Sequence, residues 1–363
     1  MIYRVIGLMS GSSLDGIDIV FTELEERAGK WAYEIKAADC TPYNKEWMQK
    51  LQYATQLNAF DYLVLHAAFG KYTGETVNAF IDKHNLHHRV QLIASHGHTV
   101  FHAPQLAMTA QLGEGATLAA ITGINVVSDL RAMDVALAGQ GAPIVPMGEK
   151  LLLPSYSYYL NLGGIANISA NVSDKYIAFD VCPANRVLNM LAAKEGKDYD
   201  DGGSMAKKGM LSTTLLAQLN DYPYYNQPYP KSLANDFGTD VLFPLIDSAG
   251  LSTTDSLNTY TGHIVQQIIK AISTLPLSGN AQKMLVTGGG AFNTFLIQLL
   301  QEALHTLNIE IVVPDENLIK YKEALIMALL GVLRWREENT VMQSVTGANR
   351  GSIGGAVWIG QEA

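Results

Sequence analysis

The sequence predicts a two-lobed α/β protein, and three observations carry that expectation. At 363 residues the chain outgrows the core of one ordinary domain. One pattern also occurs twice. Tyr3–Met9 reads as a strand, Ser10–Gly16 as a small-residue turn and Ile17–Leu24 as a second strand. The grammar returns at Tyr158–Leu162, where Gly163 and Gly164 make the turn, Ile165–Val172 runs back, and a third strand, Tyr176–Val181, follows. Finally, stretches with helical spacing of apolar residues fill the intervals, as alternating strands and helices require of such a fold.

Taken in order, Ser95–Phe101 reads as strand running into loop, and Gly113–Gly123 as a glycine loop opening a helix. Thr259–Ile272, Asn293–Leu307 and Lys322–Arg334 have helical apolar spacing. Gly139–Pro143 is the expected linker between lobes. Tyr222–Asn235 holds four tyrosines and three prolines, which excludes a regular helix there.

Composition narrows the function classes. Hydrophobic residues make up 48% and charged residues 16%, a globular balance. Lys and Arg total 25 against 34 Asp and Glu, a formal net charge of −9, with no basic run. Such a surface repels a phosphate backbone, so nucleic acid is not an expected partner. A phosphorylated ligand would need a backbone cradle or a metal ion instead. The two cysteines, Cys40 and Cys182, are far apart and form no CxxC, which suits a reducing compartment. MIYRVIGLMSGSS lacks the charged and apolar regions of a signal peptide. The longest apolar helical segment, Ala324–Val332, is about half a membrane span. The expectation is a soluble, cytoplasmic protein with no membrane partner.

Three small-residue loops carry the candidate chemistry. In GLMSGSSLDGID, Gly7–Asp18, small residues let backbone N–H groups converge on phosphate oxygens, and Ser12 and Ser13 add hydroxyls. Asp15 and Asp18 reach toward Mg2+, directly or through water. The plain alternative is an ordinary hairpin with a Ser/Gly turn. LNLGGIANIS, Leu160–Ser169, repeats the pattern, and its plain alternative is a crowded tight turn. In LVTGGGAFN, Leu285–Asn293, a strand runs into Gly288, Gly289 and Gly290 before a helix, placing a glycine loop and a helix N-terminus beside a nucleotide. Neither the Walker A pattern GxxxxGK(S/T) nor GxGxxG after a first strand occurs, which argues against P-loop kinases and dinucleotide enzymes.

The string MSGSSLDGID is similar to the MSGTSLDGID signature of anhydro-N-acetylmuramic acid kinases. The resemblance continues through SHGHTVFH, SDLRAMDVALAGQGAPIVP, LNLGGIANIS, FDVCPANRVLN, YPYYNQPYPKS, VTGGGAFN, KEALIMALLG and SVTGA, spanning residues 7–348. It implies an actin/hexokinase-like (ribonuclease H-like) fold with a twisted mixed sheet in each lobe and an interdomain cleft holding ATP. Residues 1–137 plus 345–363 would form lobe one and 138–344 lobe two. The reaction implied uses ATP and Mg2+ to phosphorylate O6 of 1,6-anhydro-N-acetylmuramic acid while water opens the anhydro ring. Its product is N-acetylmuramic acid 6-phosphate, an amino sugar of cell-wall recycling.

Carried onto this sequence, the resemblance makes Asp180 the base. It assigns nucleotide contacts to Gly11, Ser12, Ser13, Leu14, Asp15, Gly16, Ile17, Asp18, Gly163, Gly164, Asn167, Gly288, Gly289, Gly290 and Asn293. Sugar contacts fall on His96, Thr99, Arg131, Asp134, Asn185 and Glu323. An arginine fork at Arg131 suits the lactyl carboxylate; a surface ion pair with Asp134 is the plain alternative. Glu323 is expected to begin a helix, where it either lines the cleft or favours the helix N-terminus. His96, His98 and His102 are not read as a metal cluster, since no carboxylate or cysteine accompanies them. The tyrosine-rich loop is expected to pack against lobe two rather than stack on a sugar. The chain has DVCPAN, Asp180–Asn185, where the family usually has DTGPGN, and His98 where glutamine is usual. Those departures leave open a kinase for another amino sugar or anhydrosugar, and fold alone leaves open a nucleotide-binding scaffold. A homodimer is the expected assembly for an enzyme of this size.

Overall fold

The computed structural model describes residues 1–11, 13–172, 175–229, 231–234, 236–275 and 282–361. It divides into two compact units, Met1–Pro154 with Tyr321–Ala363, and Ser155–Lys320. Unit 1 carries β1 (Ile2–Ser10), β2 (Gly16–Arg27), β3 (Lys30–Pro42), β4 (Leu92–Ala103), β5 (Met108–Leu112) and β6 (Val126–Ser128). Unit 2 carries β7 (Tyr158–Leu162), β8 (Ile165–Val172), β9 (Lys175–Pro183), β10 (Gln282–Thr287) and β11 (Ile309–Val312). The returning chain adds β12 (Ala356–Trp358) to unit 1.

The two sheets share one grammar. In unit 1 the order is β12-β6-β4-β1-β2-β3, with β5 beside β4; in unit 2 it is β11-β10-β7-β8-β9. Each opens with an antiparallel meander, β1-β2-β3 or β7-β8-β9. The first strand of each meander then pairs in parallel with a later strand, β4 or β10. A parallel partner needs a crossover connection, and long helices supply it: Ala59–Lys83 in unit 1 and Thr253–Ser273 in unit 2. The repeat read from the two glycine turns is thus a repeat of topology, and the α/β class with mixed sheets is as expected.

Each unit has its own core. Ile6, Leu8, Ile19, Phe21 and Ile93 meet Phe69, Val77 and Phe80 of the Ala59–Lys83 helix in unit 1. Leu160, Leu162, Ile168, Val286 and Ile264 anchor unit 2. The helix Glu316–Trp335 lies against β1 so closely that a Cβ on Gly7 would sit 1.9 Å from the Ala324 carbonyl oxygen. Only glycine permits that approach.

Several boundaries differ from expectation. Gly139–Pro143 lies inside unit 1; the chain passes between units at Pro154/Ser155 and Lys320/Tyr321 rather than at residues 137/138 and 344/345. The last long helix starts at Glu316, because Asp315 Oδ1 accepts the Leu318 N–H (3.0 Å) and caps it. Glu323 is therefore interior to the helix and does not begin it. Ser95–Phe101, expected to run into loop, stays extended within β4, which continues to Ala103 because β5 pairs with it.

Candidate active site

In unit 1 the turn between β1 and β2 carries Gly11, Ser13, Leu14 and Asp15, and Gly16 opens β2; Ser12 lies outside the described residues. The Leu14 N–H donates to the Gly11 carbonyl at 3.4 Å, and Leu14 sits in the left-handed region at φ 61°. Ile17 is a core residue, 2% exposed. Asp18 lies between Met9 of β1 and Cys40 of β3. Burial pushes its carboxyl up to about 6; Glu323 and Asp15 push the same way, while a hydrogen bond with the Cys40 thiol opposes them. Just before the turn, the Ser10 hydroxyl bridges the Tyr43 hydroxyl (2.6 Å) and His98 Nδ1 (2.9 Å).

The strand β4 and the segment after β6 bring His96 and Arg131 together. Arg131 Nε–H donates to His96 Nε2 at 2.8 Å, and its Nη1 donates to the Gly141 carbonyl at 3.3 Å. His96 Nδ1 lies 2.9 Å from its neighbour's carbonyl, Gly97 O. Since Nε2 accepts, the proton sits on Nδ1. Burial, then the Arg131 charge, holds the His96 imidazole down to about 3, so it stays neutral. Burial also lowers Arg131 to about 10, opposed by Glu323. The Glu323 carboxyl is raised by burial and by Glu149, with Lys322 and Arg131 opposing. Lys322 is itself spent on Glu149 (2.8 Å), a pair only 4% and 3% exposed.

Asp134 is not a surface ion pair. It is 0% exposed. One carboxylate oxygen accepts the Gly141 N–H and the other the Thr346 hydroxyl, both at 2.8 Å. It shapes the Gly139–Gly141 turn whose carbonyl holds Arg131. Thr99, half-buried on β4, accepts from Gln111 Nε2 at 3.4 Å. His102 Nδ1 lies 3.1 Å from the Thr109 hydroxyl.

In unit 2 three separated segments converge. The Asn185 N–H donates to the Gly163 carbonyl (3.0 Å), the Ala184 N–H to the Gly164 carbonyl (2.8 Å), and Asn185 Nδ2 to the Leu162 carbonyl (2.8 Å). Gly288 and Gly290 pack on the same Leu162, leaving no room for a side chain: a Cβ at Gly288 would lie 2.6 Å from Asn161 Oδ1. Gly289 is nearby, 3.6 Å from Asn185 Nδ2 by the same construction. Asn293 is a helix cap, its Oδ1 accepting the Leu296 N–H at 3.0 Å.

Asp180 stands on β9 in register with Asn167 of β8. Its Oδ2 accepts the Leu233 N–H at 2.9 Å, its own N–H donates to the Lys231 carbonyl at 3.1 Å, and its carbonyl accepts the Tyr224 hydroxyl at 2.7 Å. Burial raises its carboxyl while the Leu233 bond opposes that. A half-buried, oriented carboxylate with a raised pKa is the equipment of a general base. The tyrosine-rich segment therefore does more than pack: it holds this carboxylate. Val181, Cys182 and Ala184, the departures beside Asp180, are all buried in the unit 2 core.

The sequence reading missed Tyr224, Lys231 and Leu233 as partners of Asp180, and Cys40 as the partner of Asp18. Two of the Asp180 contacts, from the Lys231 carbonyl and the Leu233 N–H, are made by main chain, which leaves no side-chain signature. Among the described residues no group of three or more His, Cys, Asp or Glu is placed to hold a metal by itself, and no helix is long and apolar enough to cross a membrane.

A model of the family described as anhydro-N-acetylmuramic acid kinase matches residues 3–360. The chain is similar to the anhydro-N-acetylmuramic acid kinase of Hydrogenovibrio crunogenus, 32% identical with 97% of each chain covered. It is similar also to that of Aliivibrio fischeri, 33% identical over 98% of this chain and 99% of the other. Among solved structures it is similar to component A of the (R)-2-hydroxyglutaryl-CoA dehydratase of Acidaminococcus fermentans. That likeness has a TM-score of 0.47 and 13% identity over 91% of this chain and 97% of the other, too distant to carry an argument.

Proposed function

The chain belongs to the anhydro-N-acetylmuramic acid kinase family, and from that premise we propose that it opens 1,6-anhydro-N-acetylmuramic acid with water while phosphorylating O6 from ATP. The observation that carries the chemistry is the Asp180 carboxylate, raised by burial and oriented through the Leu233 N–H.

Asp180 takes a proton from water as the water oxygen bonds to C1 of the sugar. The C1–O6 bond breaks, O6 bonds to the γ-phosphorus, and the bond from that phosphorus to the β,γ-bridging oxygen breaks, releasing ADP. The product is N-acetylmuramic acid 6-phosphate. A base of this kind contributes about 10²–10⁴-fold.

Phosphate contacts are assigned to Gly11, Ser12, Ser13, Leu14, Asp15, Gly16 and Ile17, the last through its main chain, and to Gly163, Gly164 and Asn167. Gly288, Gly289 and Gly290 are assigned to the adenosine part, with Asn293 shaping that loop as a cap. Mg2+ fits the donor set: the Asp18 carboxyl is raised first by burial and further by the nearby carboxylates of Glu323 and Asp15, a concentration of acidic groups that a divalent cation would relieve. Asp15 and Asp18 would hold it together with nucleotide phosphates, and bound there it would offset the charge of phosphoryl transfer.

On the sugar side, Arg131 is the carboxylate fork, with Thr99, Asn185 and Glu323 as further contacts. His96 and Asp134 act through Arg131 and its turn. The buried side chains of Val181, Cys182 and Ala184 weigh against the DVCPAN change having redirected the enzyme to another sugar.

Mass spectrometry of 1,6-anhydro-N-acetylmuramic acid incubated with the protein, Mg2+ and ATP tests the reading. The expected product is heavier by one phosphoryl group and one water. Unchanged sugar with ATP still bound would refute it. An Asp180→Asn variant should keep ATP binding and lose turnover by the factor above.

A further inference from the structure

β9 is the outer strand of the unit 2 sheet among the described residues, with β8 on one side only. An uncovered strand edge leaves main-chain groups without partners. Here Lys231 covers that edge at one residue, its carbonyl accepting the Asp180 N–H, while the Leu233 N–H two residues on donates to the Asp180 carboxylate. A third contact comes from Tyr224, earlier in the tyrosine-rich stretch (the strap), whose hydroxyl donates to the Asp180 carbonyl at 2.7 Å.

Lys231 ties the two ends of the strap together. Its ammonium lies 4.7 Å from the Tyr224 ring centroid and donates to the Tyr224 carbonyl at 3.2 Å. It also lies 5.9 Å from the ring of Phe179, the residue before Asp180, on which Tyr229 stacks at 5.6 Å. Beyond Asp180, the Tyr260 hydroxyl holds the Pro183 carbonyl at 2.9 Å. The main chain of Asp180–Pro183 is thus gripped at both ends by phenols, and one Asp180 carboxylate oxygen is fixed by the Leu233 N–H. A rigid backbone matters because misplacing a reacting group by about 1 Å costs on the order of 10²-fold in rate.

We propose that Tyr224 is a positioning residue for the kinase reaction, its hydroxyl fixing the main chain that aims the Asp180 carboxylate. This inference rests on Asp180 being the base. The strap acts in the catalytic step and not in substrate capture, because it touches β9 from the edge and contributes main-chain bonds to the base alone.

Tyr224→Phe removes only the hydroxyl. Its kcat should fall about fivefold to tenfold, the scale of one hydrogen bond, with KM for sugar and for ATP unchanged. Slackening the strap weakens the Leu233 bond, which holds the Asp180 carboxyl down, so the acid limb of the kcat–pH profile should move to higher pH. Tyr225→Phe is the control. That hydroxyl lies in the same segment but pairs with His263 Nε2 (3.1 Å), so its loss should lower the melting temperature and leave kcat and the pH limb in place. Equal kcat losses in both variants, or an unmoved pH limb in Tyr224→Phe, would overturn the inference. Asp180→Asn separates this from failure of the underlying reading. If it keeps turnover, the base assignment falls and the inference with it. If it is inactive while Tyr224→Phe behaves as wild type, only the positioning role falls.

Discussion

The Arg131 guanidinium is held by His96, whose Nε2 accepts the Arg131 Nε–H at 2.8 Å while its Nδ1 faces the Gly97 carbonyl. A neutral imidazole beside a cation fixes direction without neutralising charge, so the guanidinium keeps the positive charge that the proposed carboxylate contact requires. His96 was expected to touch the sugar directly; its two ring nitrogens are both occupied inside unit 1. Replacing it with phenylalanine keeps the volume and removes the acceptor. We expect KM for the sugar to rise about tenfold, since hydrogen bonds to charged groups are worth about 1.5–3 kcal/mol. The KM for ATP should stay unchanged. Steady-state kinetics with each substrate varied checks this, and a fall in kcat alone would contradict it.

Asp134 gives the opposite signature. Both of its oxygens accept from donors, the Gly141 N–H and the Thr346 hydroxyl, so an amide in its place turns one acceptor into a donor facing a donor. Asp134→Asn should cost about 1–3 kcal/mol of stability, read as a lower denaturant midpoint. A direct sugar contact would instead raise KM at unchanged stability.

The repeated topology was legible because its signal is local: a strand, a glycine turn and a strand, at Gly163-Gly164 as at Gly11–Gly16. The three loops were legible for the same reason. A surface ion pair at Asp134 was a plausible alternative because residue type announces polarity but not burial, and a fully buried carboxylate looks like an exposed one in sequence. Glu323 was misplaced because apolar spacing marks a helix's packed part, whereas the cap at Asp315 sets its start. The strap over Asp180 was invisible for a deeper reason. Its segment has no periodicity, and the Lys231 carbonyl and Leu233 N–H are groups that nearly every residue carries.

Gly288 tests the nucleotide loop. It has φ 81°, a conformation that costs any other residue, and a Cβ there would meet Asn161 Oδ1 at 2.6 Å and the Leu162 carbonyl at 2.8 Å. Gly288→Ala must displace either itself or the end of β7. We expect at least a tenfold weaker ATP affinity by calorimetry and a stability loss of about 1–3 kcal/mol. Unaltered nucleotide affinity would remove this loop from the adenosine site.

His263 sets part of the acid limit of stability. It is 0% exposed on the Thr253–Ser273 helix, with Nδ1 2.7 Å from Asn220 Oδ1 and Nε2 facing the Tyr225 hydroxyl. Burial holds its pKa down to about 3. In the unfolded chain it titrates near 6.5, so below that pH the unfolded state takes up a proton that the folded state refuses. Its contribution is present above about pH 6.5 and is lost progressively as pH falls toward 3. Between pH 7 and pH 5 the loss amounts to about 2 kcal/mol. The raised carboxyl of Asp18 works in the opposite sense below pH 6, so the wild-type curve alone mixes the two. A His263→Gln variant separates them: whatever it costs at pH 7, its further loss on going to pH 5 should be about 2 kcal/mol smaller than that of the wild type. Denaturant melts of both proteins at the two pH values give that double difference, and a value near zero would mean that His263 is protonated inside the fold.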